Sequence, residues 1–257
     1  IMRDNVGEIA ELIGAQASLI EFGSGSSLKT RVLLANLNDL AVYVPVDISE
    51  ELLLASAKEL RRDFPQLDII PVVADFTQQF ALPNPRVMPL RNIVYFPGST
   101  IGNFTHDAAL ELLKVMYHEA GEDGALLIGV DLQKDPDVIE RAYNDSAGVT
   151  AEFNLNVLRH INREYGADFE LDAFSHRAEY NRDENRIELR LVSAEDQDVS
   201  IGNEDIVIVK DETILTEYSH KYTLEGFAEM AASAGFEVAR VWTDPAQLFS
   251  VQYCVRS

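Results

Sequence analysis

The feature that most constrains this chain is the rhythm of its first 130 residues, in which short apolar runs alternate with stretches of helical spacing. The apolar runs fall at 18–22, 41–47, 69–74, 92–96 and 125–130. Between them, helices are expected at 4–14 (Val6, Ile9, Leu12 and Ile13 on one face), 28–37, 50–63 and 106–120. A strand apolar on both sides is one buried on both faces, which is the condition of a parallel sheet with helices on either side. Right-handed crossovers then leave a doubly wound α/β sheet as the natural topology.

From about Asp135 the rhythm changes. Residues 145–165 read as one long helix, with Val149, Phe153, Val157 and Ile161 four apart. The segments 169–179, 186–192, 199–210 and 213–222 alternate like antiparallel strands. A helix at 224–234 and strands at 237–242 and 250–255 follow. The expected organisation is a core of 1–134 and 221–257, closed by an antiparallel pair, with an α+β substrate-binding domain inserted at 135–220. That insert is expected to pack on the core as a lid.

Charge narrows the function. A formal charge of −22 repels phosphate backbones and anionic lipid, so nucleic acid and membrane are excluded as partners and a small molecule is favoured. Cys254 is the single cysteine, which rules out an internal disulfide and fits a reducing cytoplasm; in a terminal strand it reads as a core thiol. No apolar stretch is long enough to span a bilayer. The five histidines (106, 118, 160, 176 and 220) lack metal-ligand spacing, so no metal is expected. A monomer is expected. Ile1 precedes Met2 and no signal-peptide pattern follows, so a trimmed start is expected.

Two turns carry candidate chemistry. Glu21-Phe22-Gly23-Ser24-Gly25-Ser26-Ser27 joins the first strand to the first helix, where glycines let a ligand approach backbone N–H groups. A G-x-G pair alone also occurs for geometry. Asp47, at the end of the second strand, stands where an acid would hold ribose hydroxyls. Asp75-Phe76, at the end of the third, offers a carboxylate for an adenine amino group and a ring to lie on the base. This set suits either NAD or S-adenosylmethionine (SAM). The third glycine of the dinucleotide fingerprint is replaced by Leu28, and an acidic turn matches a cationic sulfonium better than a pyrophosphate. The second turn, Phe96-Pro97-Gly98-Ser99-Thr100-Ile101-Gly102-Asn103-Phe104, follows the fourth strand, where a methyl acceptor would meet its donor. By itself, Asn103 also reads as a helix N-cap.

Several blocks occur in order: L-I-E-F-G-S-G-S-S-L-K-T-R, Y-V-P-V-D-I-S, A-D-F, F-P-G-S-T-I-G-N, A-Y-N-D-S-A-G-V-T-A-E-F-N-L-N-V-L, I-L-T-E-Y-S-H-K-Y and W-T-D-P. Together they resemble, from end to end, the histidine-specific Nα-methyltransferase family of ergothioneine biosynthesis. The resemblance implies a SAM-methyltransferase fold and methylation of the α-amino group of L-histidine to the trimethyl betaine. It also implies SAM held by Gly23, Lys29, Asp47, Asp75 and Phe76. Gly98, Asn103 and Tyr143 would hold the amino acid's amine and carboxylate, with Asn103 and Tyr143 as the catalytic positioners. Glu217 and Ser219 would grip the imidazole, and their i, i+2 spacing puts both on one face of a strand. Leu189 stands where the family often has a methionine lining the side-chain pocket. The family also carries an N-terminal segment, with ligand-contacting tyrosines, ahead of the point where this sequence begins. Two rivals stay open: a related enzyme for another aromatic amino acid or a thiohistidine, and a non-catalytic SAM-fold module that binds a partner protein.

Overall fold

The computed structural model of the chain describes residues 1–25 and 28–257; Ser26 and Ser27 of the first turn lie outside the described residues. The elements begin with α1 (Met2–Ile13), β1 (Ala17–Phe22), α2 (Leu28–Leu34), β2 (Val42–Asp47), α3 (Glu50–Asp63) and β3 (Val72–Val73). Next come β4 (Arg91–Phe96), α4 (His106–Ala120), β5 (Ala125–Asp131), α5 (Pro136–Tyr143) and α6 (Val149–Tyr165). Then follow β6 (Phe174–Asn181), β7 (Arg186–Ser193), β8 (Gln197–Ile201), β9 (Glu204–Ile208) and β10 (Thr213–His220). The chain ends with α7 (Leu224–Ser233), β11 (Phe236–Thr243) and β12 (Phe249–Arg256). They form two compact units, Ile1–Leu132 with Tyr222–Ser257, and Gln133–Lys221.

The first unit is a seven-stranded sheet in the order β11-β12-β5-β4-β1-β2-β3. β1 to β5 run parallel, while β12 pairs antiparallel with both β5 and β11. The continuous apolar runs divide by parity into two cores, because side chains alternate between the faces of a strand. Leu19, Ile93, Tyr95 and Leu127 pack with Ile9 and Ile13 of α1 and Leu33 of α2. Their neighbours Ile20, Val94, Phe96 and Ile128 pack on the other face with Met116 of α4 and Phe227 of α7. Chain order reverses between β1 and β4, and such a reversal opens a crevice beyond the strands' carboxyl ends. The third strand is shorter than the expected 69–74. Pro71 has no N–H to give a ladder, so only Val72–Val73 pair as a strand, with one further bridge from Ile69 to Tyr43.

The second unit has a three-stranded antiparallel sheet, β10-β7-β6, and a two-stranded one, β8-β9. Leu158 of α6 packs with Phe169, Phe174 and Leu191, while Ile139 of α5 packs with Ala178, Ile187 and Leu189. Three expectations fail here. The helix expected at 145–165 starts instead at Val149, after a separate helix, α5. Asp145 makes the break, its carboxylate accepting from the N–H groups of Val149 and Thr150, both at 2.9 Å. Of the four-residue apolar repeat, Val149, Phe153 and Val157 are exposed, and Ile161 packs against the cluster of Leu158. The strand expected at 199–210 is a hairpin, β8 and β9, turning at Gly202, whose φ of 62° is the left-handed region glycine favours. The strand expected from 169 begins only at Phe174, after a 3-10 turn at Leu171–Ala173.

Candidate functional site

In the first unit the turn after β1 is built for close approach. Gly23 adopts φ 68° and donates its N–H to the Val46 carbonyl at 2.9 Å, tying the turn to β2. A side chain there would meet the Phe76 ring at 3.5 Å. A cavity of about 220 Å³ opens among Gly23, Ser24, Gly25, Lys29, Gly98 and Thr100. Ser24 is buried, and its hydroxyl lacks a hydrogen-bond partner among the described residues. A buried polar atom left unpaired is costly, so an orphan beside a cavity points to a ligand group that pairs with it.

Beneath the turn Glu21 is buried with Thr30 and Tyr43. The Thr30 hydroxyl lies 2.8 and 2.7 Å from its two carboxylate oxygens, and the Tyr43 phenol donates to it as well. Burial pushes the Glu21 carboxyl up to about 7, against the opposing pull of those hydrogen bonds and of Lys29. Asp47 closes β2, with one carboxylate oxygen accepting the Ser49 N–H at 2.9 Å. The Ala74 N–H reaches the Asp47 carbonyl at 3.2 Å, which sets the end of β3 beside it. Asp75 is exposed, and the Thr77 hydroxyl and N–H hold its carboxyl below the usual range. The Phe76 ring centroid lies 5.6 Å from Phe22 and 5.8 Å from Phe96, forming an aromatic floor next to Gly23.

The turn after β4 is pinned by Ser99. This residue takes φ 57°, and its hydroxyl accepts from the Asp131 N–H at 2.8 Å, joining the ends of β4 and β5. Asn103 ends the 3-10 turn Thr100–Asn103 with its side chain exposed. It does not cap α4; Thr105 does, accepting from the Ala108 N–H. Gly98 and Asn103 thus share one short turn, with Gly98 on the cavity.

In the second unit Tyr143, Leu189, Glu217 and Ser219 lie together, and a β-bulge is the reason. Along β10, Thr213 pairs with Val192 and Leu215 with Arg190, but Glu217 then pairs with Leu189 and Ser219 with Ile187. Unbroken pairing would set Glu217 against Glu188, on the opposite face. The extra residue, Thr216, moves Glu217 and Ser219 to the face of Leu189 and Ile187. The Thr216 hydroxyl donates to the Leu189 carbonyl at 3.0 Å, fastening the bulge. Leu189 is buried, and Tyr143 packs against its cluster. The Tyr143 carbonyl accepts from His176 Nε2 at 2.9 Å, while its phenol lies 2.7 Å from the Ser219 hydroxyl. Burial raises the Glu217 carboxyl, and Lys221 pulls the other way.

Lys221 is the residue sequence reasoning missed. It is buried, and its ammonium donates to the Ser219 hydroxyl at 2.6 Å and to the Tyr143 phenol at 2.8 Å. The signal was present, since Lys221 continues the alternation of Glu217 and Ser219 by two. Cys254 lies in the core, where burial pushes its thiol up to about 12. Among the described residues no cluster of three His, Cys, Asp or Glu side chains could hold a metal, and no helix is long and apolar enough to cross a membrane.

The chain is 39% identical over 261 residues to a histidine N-alpha-methyltransferase of Mycolicibacterium smegmatis, covering all of this chain and 80% of that one. It is 30% identical over 255 residues to ergothioneine biosynthesis protein 1 of Neurospora crassa, covering 95% of this chain and 28% of that protein. The solved structure of the CcbJ methyltransferase from Streptomyces caelestis superposes with a TM-score of 0.56 at 14% identity, over 99% of this chain and 89% of that one, a likeness of fold alone. A sequence profile described as "Histidine-specific methyltransferase, SAM-dependent" matches residues 1–256, and the chain belongs to that family.

Proposed function

We propose that the chain transfers methyl groups from SAM to the α-amino nitrogen of L-histidine, repeatedly, to give the trimethyl betaine hercynine of ergothioneine biosynthesis. When bound, SAM supplies a methyl carbon on an electron-poor sulfonium. The described residues fit such a ligand: an unpaired buried Ser24 hydroxyl on the cavity, Lys29 beside it, and carboxylates at the ends of neighbouring strands. We assign Gly23, Lys29, Asp47, Asp75 and Phe76 to SAM. Ser49 orients the Asp47 carboxylate for ribose hydroxyls.

The acceptor must present an unprotonated amine in line with the donor, so the protein's task is chiefly positioning, worth up to roughly 7–11 kcal/mol in favourable cases. Gly98, Asn103 and Tyr143 are assigned to the amine and carboxylate. Glu217 and Ser219 are assigned to the imidazole, with Leu189 as an apolar wall beside them. An imidazole has polar nitrogens at its edge and apolar faces, and this strand face offers a carboxylate and a hydroxyl beside a leucine. The bulge at Thr216 is the observation that carries the reading, because it brings those groups to one face. The test is mass spectrometry of the purified protein with SAM and each of the twenty amino acids. Up to three methyl additions are expected on histidine and none on phenylalanine or leucine; preferential methylation of an apolar amino acid would sink the assignment.

A further inference from the structure

We infer that Lys221 is a specificity-determining positioning residue. By holding the Ser219 and Tyr143 hydroxyls as acceptors it leaves Ser219 a donor, so the clamp takes a neutral imidazole and rejects imidazolium. The inference rests on the histidine reading above and goes beyond it by naming the protonation state that is read.

Protons and lone pairs decide which group donates here. A hydroxyl carries one O–H and two lone pairs, and an ammonium only donates. Lys221 gives one N–H to Ser219 at 2.6 Å and another to Tyr143 at 2.8 Å, so each hydroxyl spends a lone pair on it. The two hydroxyls are themselves 2.7 Å apart, so one donates to the other. A phenol is more acidic than an alkyl hydroxyl and is the better donor, so Tyr143 donates and Ser219 accepts. Both Ser219 lone pairs are then taken, and its own O–H is left to donate elsewhere. The Lys221 ammonium also lies 4.8 Å from the Tyr143 ring centroid, over its face, which further fixes the three groups.

Two residues before Ser219 stands Glu217, an acceptor when ionised. One acceptor and one donor on the same strand face complement a ring with one N–H and one bare nitrogen. Imidazolium has two N–H groups and no lone pair, so it would meet the Ser219 proton with its own. The fixed positive charge of Lys221 opposes it as well. A neutral ring is thereby bound in one tautomer, the N–H toward Glu217 and the bare nitrogen toward Ser219.

The test is nitrogen NMR of ring-15N-labelled L-histidine bound to the full chain with saturating S-adenosylhomocysteine, at about pH 6.5, where a free imidazole is roughly half protonated. In the native protein one ring nitrogen should resonate as unprotonated and the other as protonated. In Lys221→Met, Ser219 regains a lone pair; the bare-nitrogen signal should be lost, both nitrogens should carry protons, and affinity should fall roughly ten- to a hundred-fold. A doubly protonated ring in the native protein overturns the inference, and that measurement stands whether or not the variant folds. A folded Lys221→Met that keeps the native pair of signals overturns the role of Lys221. Labelled histidine that gives no bound signals, in a protein that also leaves histidine unmethylated, overturns the histidine reading itself.

Discussion

The two units hold their candidate residues by different means. In the parallel-sheet unit, Asp47 ends β2, and Gly23 and Gly98 sit just past the carboxyl ends of β1 and β4, neighbours in the sheet. Strand order alone brings those turns together, whatever the exact pairing of residues. In the inserted unit, Glu217 and Ser219 owe their place to a single extra residue in β10. A parallel sheet builds its site from topology, whereas an antiparallel face builds its site from register. The first tolerates small slips; the second turns over on one.

The sharpest way to break this contrast is to slip the register between the two proposed imidazole ligands. Deleting Tyr218 should leave Glu217 against Leu189 but set Ser219 against Glu188, carrying it to the face opposite Glu217. Activity on histidine should fall by more than a thousand-fold in kcat/KM, because a site that reads polar groups loses most when its ligands are withdrawn. Binding of S-adenosylhomocysteine, measured by calorimetry, should hardly change. If the deletion variant still methylates histidine well, the register argument is wrong.

Removing one ligand tests the same face more gently. Glu217→Ala should cost about 2–4 kcal/mol in kcat/KM on histidine, the scale of a lost charged contact and its unpaired partner. It should also narrow the preference for histidine over phenylalanine, checked by competition with mass-spectrometric detection. An equal loss on both substrates would mark Glu217 as structural. On the other side of the comparison, Asp47→Ala should weaken SAM binding by about 1.5–3 kcal/mol, since it removes a charged acceptor for hydroxyls. Calorimetry showing unchanged affinity with an intact fold would take Asp47 out of the donor site.

The same contrast explains what was legible beforehand. Strands β1, β2, β4 and β5 announce themselves because burial on both faces demands unbroken apolar runs, and the candidate turns follow at their ends. The exception, β3, was cut short by Pro71, a residue visible in the sequence. In the inserted unit the spacing of Glu217 and Ser219 gave a shared face but not which one, because Thr216 carries no mark of a bulge. The hairpin between β8 and β9 hid in a run read as one strand, although Gly202-Asn203 is a turn pair. Lys221 went unread because a lone lysine at a strand end usually faces solvent. Only the folded chain puts two hydroxyls on its ammonium.

The smallest expected effect lies at the break between α5 and α6. Asp145 accepts from the Val149 and Thr150 N–H groups, and these hydrogen bonds hold its carboxyl down to about 2. Its value in an unfolded chain is about 3.9, so folding favours the ionised form. The carboxylate's contribution is therefore fully present above about pH 4 and is lost as pH falls through about 2. Asp145→Asn keeps an acceptor oxygen but removes the charge that favours a helix N-terminus. The variant should melt slightly below the native protein at neutral pH, with α6 frayed at its start. The gap should stay constant between pH 7 and 5 and narrow steadily below pH 4, followed by circular dichroism melts of both proteins side by side. A gap that is independent of pH down to the acid limit of folding would mean that the oxygen, not the charge, ends the helix expected to run on from 145. The break would then belong to turn geometry alone, and the inserted unit would owe it no electrostatic debt.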